Sequence, residues 1–176
     1  MFVAKKVIAV DLSVDGLQNA INALESYRDT LDDKCIELRE KIAQKLTGDA
    51  QAGFDGAVVD DIISGSGARL ANVTVNWEHN GDGATVVIAQ GEDAVWVEFG
   101  AGVYHNGAVG SSPNPYGAEL GFTIGSFGRN GARTTWGFSE GGSLILTHGT
   151  PASMPLFRAV QELLPDIAEM AREVFG

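Results

Sequence analysis

The sequence predicts an α+β protein: an antiparallel sheet of about four strands, packed by a long N-terminal helix and a C-terminal amphipathic helix, with a long glycine-rich loop or β-arm. Three observations predict it. Apolar residues recur at helical spacing at both ends of the chain. Of the 23 glycines, 21 lie between Gly48 and Gly149. In that middle stretch, alternating apolar residues are separated by turn chemistry. The 176 residues fit a single domain, since domains usually run about 100–200 residues. It divides into a helical front (13–48), a β-meander (70–99), a glycine-rich arm (100–142) and a strand with a terminal helix (143–176).

The front opens with a β-like run from Lys5 to Val10. Ser13 then offers a helix N-cap, its hydroxyl able to accept a free backbone N–H. Leu17, Ala20, Ile21 and Leu24 form one apolar face. Leu31, Cys35, Leu38, Ile42 and Leu46 form a second, on a helix over Asp29–Thr47. Cys35 lies within that stripe and reads as a small core residue. Gly48 and Gly53 mark the helix end.

The meander begins at Val73, Val75 and Trp77. His79-Asn80-Gly81-Asp82-Gly83 has hairpin-turn chemistry, and Thr85 to Ala89 is the return strand. After a turn at Gln90-Gly91-Glu92-Asp93, Ala94 to Phe99 alternates as a third strand, with Val95, Val97 and Phe99 on one side and Trp96 and Glu98 on the other. The arm holds 12 glycines between Gly100 and Gly142. It also carries Tyr104, Tyr116, Leu120, Phe122, Ile124, Phe127 and Trp136, too many large apolar groups for a solvated linker. The alternation of Leu120, Phe122 and Ile124 suggests an added strand or β-arm, and the segment is expected to order against something, a neighbouring subunit being one candidate. The tail has a strand at Leu144-Ile145-Leu146. Ser153 is the candidate cap of a helix with Pro155 in its first turn. Pro165 is expected to kink that helix or restart it at Asp166.

Composition excludes several function classes. Twelve basic against 23 acidic residues leave a net charge of −11, which opposes phosphate-backbone binding of DNA or RNA. No apolar run approaches the ~20 residues of a bilayer span, and the first residues do not form a signal peptide. A single cysteine excludes an internal disulfide and fits a reducing compartment. No phosphate-binding loop follows the Gly100-Ala101-Gly102 turn. His79, His105 and His148 lack the i, i+4 spacing of a helical zinc pair, and ordinary hydrogen bonding at turns and strand ends is a better reading than a metal site assembled from all three with Glu98. No nucleophile elbow is present, and the adjacent carboxylates Asp60/Asp61 and Glu92/Asp93 diverge instead of forming an acid–base pair. Trp77, Trp96 and Trp136 could form a sugar-stacking platform, but in alternating strands core packing is the default for Trp77 and Trp96. No enzyme, cofactor or metal is therefore expected.

Two blocks, Val95-Trp96-Val97-Glu98-Phe99-Gly100-Ala101-Gly102 and Leu146-Thr147-His148-Gly149-Thr150-Pro151-Ala152-Ser153-Met154-Pro155-Leu156-Phe157-Arg158-Ala159, flank Gly117-Ala118-Glu119-Leu120-Gly121-Phe122-Thr123-Ile124-Gly125. In this order they resemble the tailed-phage neck family, the head–tail joining or tail-completion proteins of lambdoid-type siphophages and prophages. The resemblance implies a non-catalytic virion protein, made in the bacterial host cytoplasm. It would form a ring with copies of itself at the head–tail junction, contacting portal-connector and tail-tube proteins. A tail terminator is the near alternative, and a small carbohydrate- or ligand-binding β module is the alternative from another class. DNA would pass through the ring without specific binding, and Asp60, Asp61, Glu92 and Asp93 are candidates for an acidic channel surface. Glu98, Phe99, Gly100, Pro151 and Pro155 carry the motif. Glu98 is expected to accept backbone N–H bonds or pair with an arginine.

Overall fold

A computed structural model describes residues 11–59, 69–81, 83–100, 112–120, 136–147 and 149–175. The protein is α+β, with a long N-terminal helix and small antiparallel sheets of two strands each. Helix α1 spans Val14–Asp55, 42 residues, or about 63 Å at 1.5 Å per residue. As expected, Ser13 caps it, its Oγ accepting from the Gly16 amide at 3.1 Å.

The expected pair of helical faces is thus one continuous helix. It runs through Gly48 and Gly53, which were expected to end it. Gly53 has a packing reason: a Cβ there would lie 2.9 Å from the Cβ of Pro155, so the glycine lets the last helix pair approach α1 closely. At Gly48 a Cβ would meet nothing within 4 Å. Gly48→Ala should therefore stabilise the protein by about 1 kcal/mol, raising the melting temperature by about 2–4 °C in a thermal scan. Gly53→Ala should lose stability in the same scan.

Strands β1 (Val58–Val59) and β2 (Arg69–Leu70) pair antiparallel. Strands β3 (Thr74–His79) and β4 (Thr85–Gln90) form the expected hairpin, with Trp77 opposite Val87. Strands β5 (Trp136–Glu140) and β6 (Ser143–Thr147) form a second hairpin. β6 covers the expected Leu144–Leu146 strand, and β5 lies in what the sequence suggested was arm.

The third strand of the meander is a correction. Ala94–Phe99 is helix α2, and its buried residues Ala94, Val97 and Glu98 follow a helical spacing, not an alternation. At the junction before it, Gly91 has φ 144°, and a Cβ there would lie 2.3 Å from the Asn72 carbonyl oxygen. The chain leaves β4 along a path that glycine takes most readily. A sheet of about four strands is not formed among the described residues. Part of the reason lies on the free edge of β3, where Gln51 of α1 donates to the Val73 carbonyl at 3.0 Å and accepts from the Val75 amide at 2.7 Å. One side-chain amide thus takes the hydrogen bonds that another strand would supply.

Helices α3 (Pro155–Leu163) and α4 (Ile167–Phe175) are separated at Pro165, as expected, and lie along α1. Ser153 is not the cap of α3; that position is Met154, in a left-handed conformation at φ 54°. One buried cluster joins the elements through Phe54, Val59, Val75, Val97 and Ala159. Lys5–Val10 lies outside the described residues. Cys35, expected in the core, is exposed, because the described body packs on α1 mainly beyond it.

Candidate functional site

Helix α2 ends where α3 begins, and each end satisfies the other's unpaired backbone groups. The Val97 carbonyl, in the last turn of α2, accepts from the Ser153 amide at 2.9 Å and the Met154 amide at 3.3 Å. In return, the Glu98 carboxylate accepts from the Leu156 amide at 2.9 Å and the Phe157 amide at 3.1 Å. Glu98 thus supplies the capping acceptor for a helix that begins more than fifty residues further along the chain, where neither Ser153 nor Met154 provides a side-chain cap. A carboxylate at this end also faces the positive pole of the α3 dipole.

A third segment converges on the same carboxylate. Asn114, buried between Pro113 and Pro115, donates from Nδ2 to Glu98 Oε1 at 2.9 Å. Its own Oδ1 accepts from the Tyr116 amide at 3.0 Å, closing an Asx turn. The Tyr116 ring meets Phe157 edge to face at 6.4 Å. Burial raises the Glu98 pKa above the ordinary carboxylate range, and the opposing pull of the Leu156 and Phe157 amides, Asn114 and the Arg158 charge does not cancel it.

Over this junction lies an open hollow of about 490 Å³, lined by Val95, Phe99, Tyr116, Leu120, Leu156 and Val160 among others. Among the described residues its walls are mainly apolar, and the one carboxylate on it is already bound by three donors. Such a hollow suits an apolar group better than it suits the activation of water. Tyr116 and Leu120 are 57% and 60% exposed, so two of the expected contact residues stand on its rim. Leu120 lies in a turn, not in the strand expected for it.

Tyr104, Phe122, Ile124, Phe127, Asp60, Asp61, His105 and His148 lie outside the described residues, as does the side chain of Trp136, which opens β5. Phe99 is half-buried in the hollow wall. Gly100 closes α2 with φ 79°, its amide bonded to the Trp96 carbonyl at 2.7 Å. Pro155 is buried at the start of α3, and Pro151 is exposed. Trp77 is half-buried beside His79, and Trp96 is 40% exposed on α2 rather than packed in a strand.

Among the proposed channel acids, Glu92 is exposed. Asp93 is a correction: it is 3% exposed and clasped by Arg69, Nη1 to Oδ2 at 2.7 Å and Nη2 to Oδ1 at 2.9 Å. It also accepts from the Asn72 amide at 2.8 Å. Burial alone would raise its pKa, but the Arg69 bonds, the Asn72 amide and the Arg69 charge together hold it below the ordinary range. Asp93 therefore binds β2 to the start of α2 and presents no free charge. Asn114, Gln51 and Arg69 were not singled out from the sequence. The Pro-Asn-Pro setting of Asn114 signals a turn, but nothing local points to its partner sixteen residues back.

Among the described residues, no group of three His, Cys, Asp or Glu is placed to hold a metal ion, and no helix is long and apolar enough to cross a membrane. No protein-family model, no characterised protein and no solved structure matches the chain.

Proposed function

We propose that this chain is a structural protein of a tailed-phage or prophage neck, assembling as a ring at the head–tail junction around the DNA channel. One observation carries the reading. The Glu98-Phe99-Gly100 block and the Met154-Pro155-Leu156-Phe157 block, which together carry the sequence resemblance, are bonded directly through the Glu98 carboxylate. The two blocks thus form one joint in this chain, which supports reading them together rather than as two unrelated short motifs. The exposed rim of Tyr116 and Leu120 supports a role in contact between proteins, and the bonded state of Glu98 supports a non-catalytic one.

In this reading the net charge of −11 keeps the genome from adhering as it passes, because like charges repel the phosphate backbone. Glu92 is the described acid suited to that face, and Asp93 is not part of it. The partners are further copies of the chain, a portal-connector protein and a tail-tube protein. The test is light scattering followed by negative-stain imaging, on the protein alone and with a tail tube. Closed rings with a central channel are the expected result. A chain that stays monomeric in both settings, and whose tryptophan fluorescence responds to a glycan, would overturn the reading in favour of a ligand-binding module.

A further inference from the structure

At the front of α1 an apolar stripe stays about half exposed beside the buried Ala20. Leu17, Ile21 and Leu24 are 46%, 49% and 56% exposed. Among the described residues, the body reaches α1 from Lys34 onward. Lys34 Nζ lies 5.9 Å from the Phe175 ring centre, Arg39 bonds the Gly83 carbonyl, His79 bonds Glu40, and Lys41 pairs with Glu173.

The period of the stripe is that of a helix paired with another helix. Leu17, Leu24, Leu31 and Leu38 recur every seven residues, with Ile21, Arg28, Cys35 and Ile42 four residues after each. These are alternating steps of four and three, an average of 3.5, the repeat of a helix that supercoils with another helix. Leucine at one core position and Ile21 at the other is the combination that favours a parallel two-stranded pair, and the lone Arg28 is the kind of polar core residue that sets register.

We infer that the front of α1 is a self-association surface, on which a second copy of this chain packs its own Leu17–Leu31 stripe in parallel. The inference stands apart from the neck reading, since it follows from the helix alone. The area sets the strength. The segment Val14–Lys34 is about 31 Å long and about 10–12 Å wide, so each copy covers on the order of 350 Å², roughly half of the ~800 Å² per partner of a standard interface. The pairing is therefore weak and concentration-dependent. Charge sets its salt response. Residues 11–33 hold six acids and one base, so two parallel copies repel, and added salt strengthens the pair by screening.

The test is sedimentation velocity of the full chain from micromolar to near-millimolar concentration. The wild type is expected to move from one chain toward two, more so in high salt. Leu17→Glu with Leu24→Glu should pair at least tenfold more weakly, while Asn19→Glu with Ser26→Glu, on the opposite helix face, should pair as the wild type does. As a second readout, Leu24→Cys in a Cys35→Ser background should give a disulfide-linked dimer on mild oxidation, and Ser26→Cys in that background should not. A wild type that stays monomeric throughout, a stripe variant that pairs undiminished, or cross-linking at 26 but not at 24 would each overturn the inference. Rings formed without stripe pairing would overturn it and leave the neck reading standing; stripe pairing without rings would do the reverse.

Discussion

Glu98→Ala should cost about 3–4 kcal/mol. The substitution removes the acceptor for the Leu156 and Phe157 amides and for Asn114 Nδ2 at once. Each buried donor left unpaired costs about 1–3 kcal/mol, with the higher figures for bonds to a charged partner. Water entering from the adjoining hollow offsets part of that. In a chain of this size the melting temperature should fall by on the order of 10 °C, and amide exchange should accelerate first at the start of α3. Glu98→Gln keeps the volume and one acceptor oxygen and should lose about half as much.

The same residue carries a pH signature. Because burial raises the Glu98 pKa, the native state holds this proton more tightly than the unfolded chain does. Its contribution is fully present below the ordinary glutamate value and declines as pH rises through the raised native one. The gap between wild type and Glu98→Gln in urea unfolding should therefore narrow as pH rises through that window. A gap that widens instead would show that the three donors outweigh burial.

Arg69→Met should cost about 2 kcal/mol at neutral pH. Removing one partner of a buried ion pair can cost about 3–5 kcal/mol. Here the Arg69 side chain is 44% exposed while that of Asp93 is 5% exposed, so solvent screening reduces the loss. The variant leaves Asp93 buried with the Asn72 amide as its remaining described partner. In the wild type the Asp93 pKa lies below the ordinary value of 3.8. Its stabilisation is therefore present above that value and is lost as pH falls through the native one. Urea unfolding at pH 7 and near pH 3 should show the deficit of Arg69→Met shrinking on acidification. The paired Arg69→Met, Asp93→Asn variant should recover part of the loss at pH 7, since it leaves no buried charge unmatched.

Much of the local structure was legible because local rules decide it. Ser13 caps a helix by reaching an amide three residues on. The His79–Gly83 turn joins two strands through its own chemistry, and Pro165 interrupts a helix by lacking an N–H. The misread elements share another cause. Val95, Val97 and Phe99 alternate as a strand would, yet the segment is helical because Ala94 and Val97 must enter the core while Glu98 reaches α3. Gly53 looked like a helix stop because the nearness of Pro155, about a hundred residues away, leaves no local trace. Cys35 and the leucines before it were read as core because their spacing is that of a buried face, and spacing alone does not say whether the same chain supplies the cover.

The sequence by itself pointed to the α+β class, a long front helix with its cap at Ser13, the β3–β4 hairpin, the β6 strand and the proline break in the tail, and it left Glu98 between backbone amides and an arginine. Only the tertiary structure decided where α1 ends, that Ala94–Phe99 is a helix, that Gln51 covers the edge of β3, and that Asp93 is clasped by Arg69. The physical reason is range. Capping, turn chemistry and proline act within a few residues, where the sequence displays both partners. A buried carboxylate or a strand edge is satisfied by whichever donor the folded chain brings within 3 Å, and that donor comes from a distant part of the sequence.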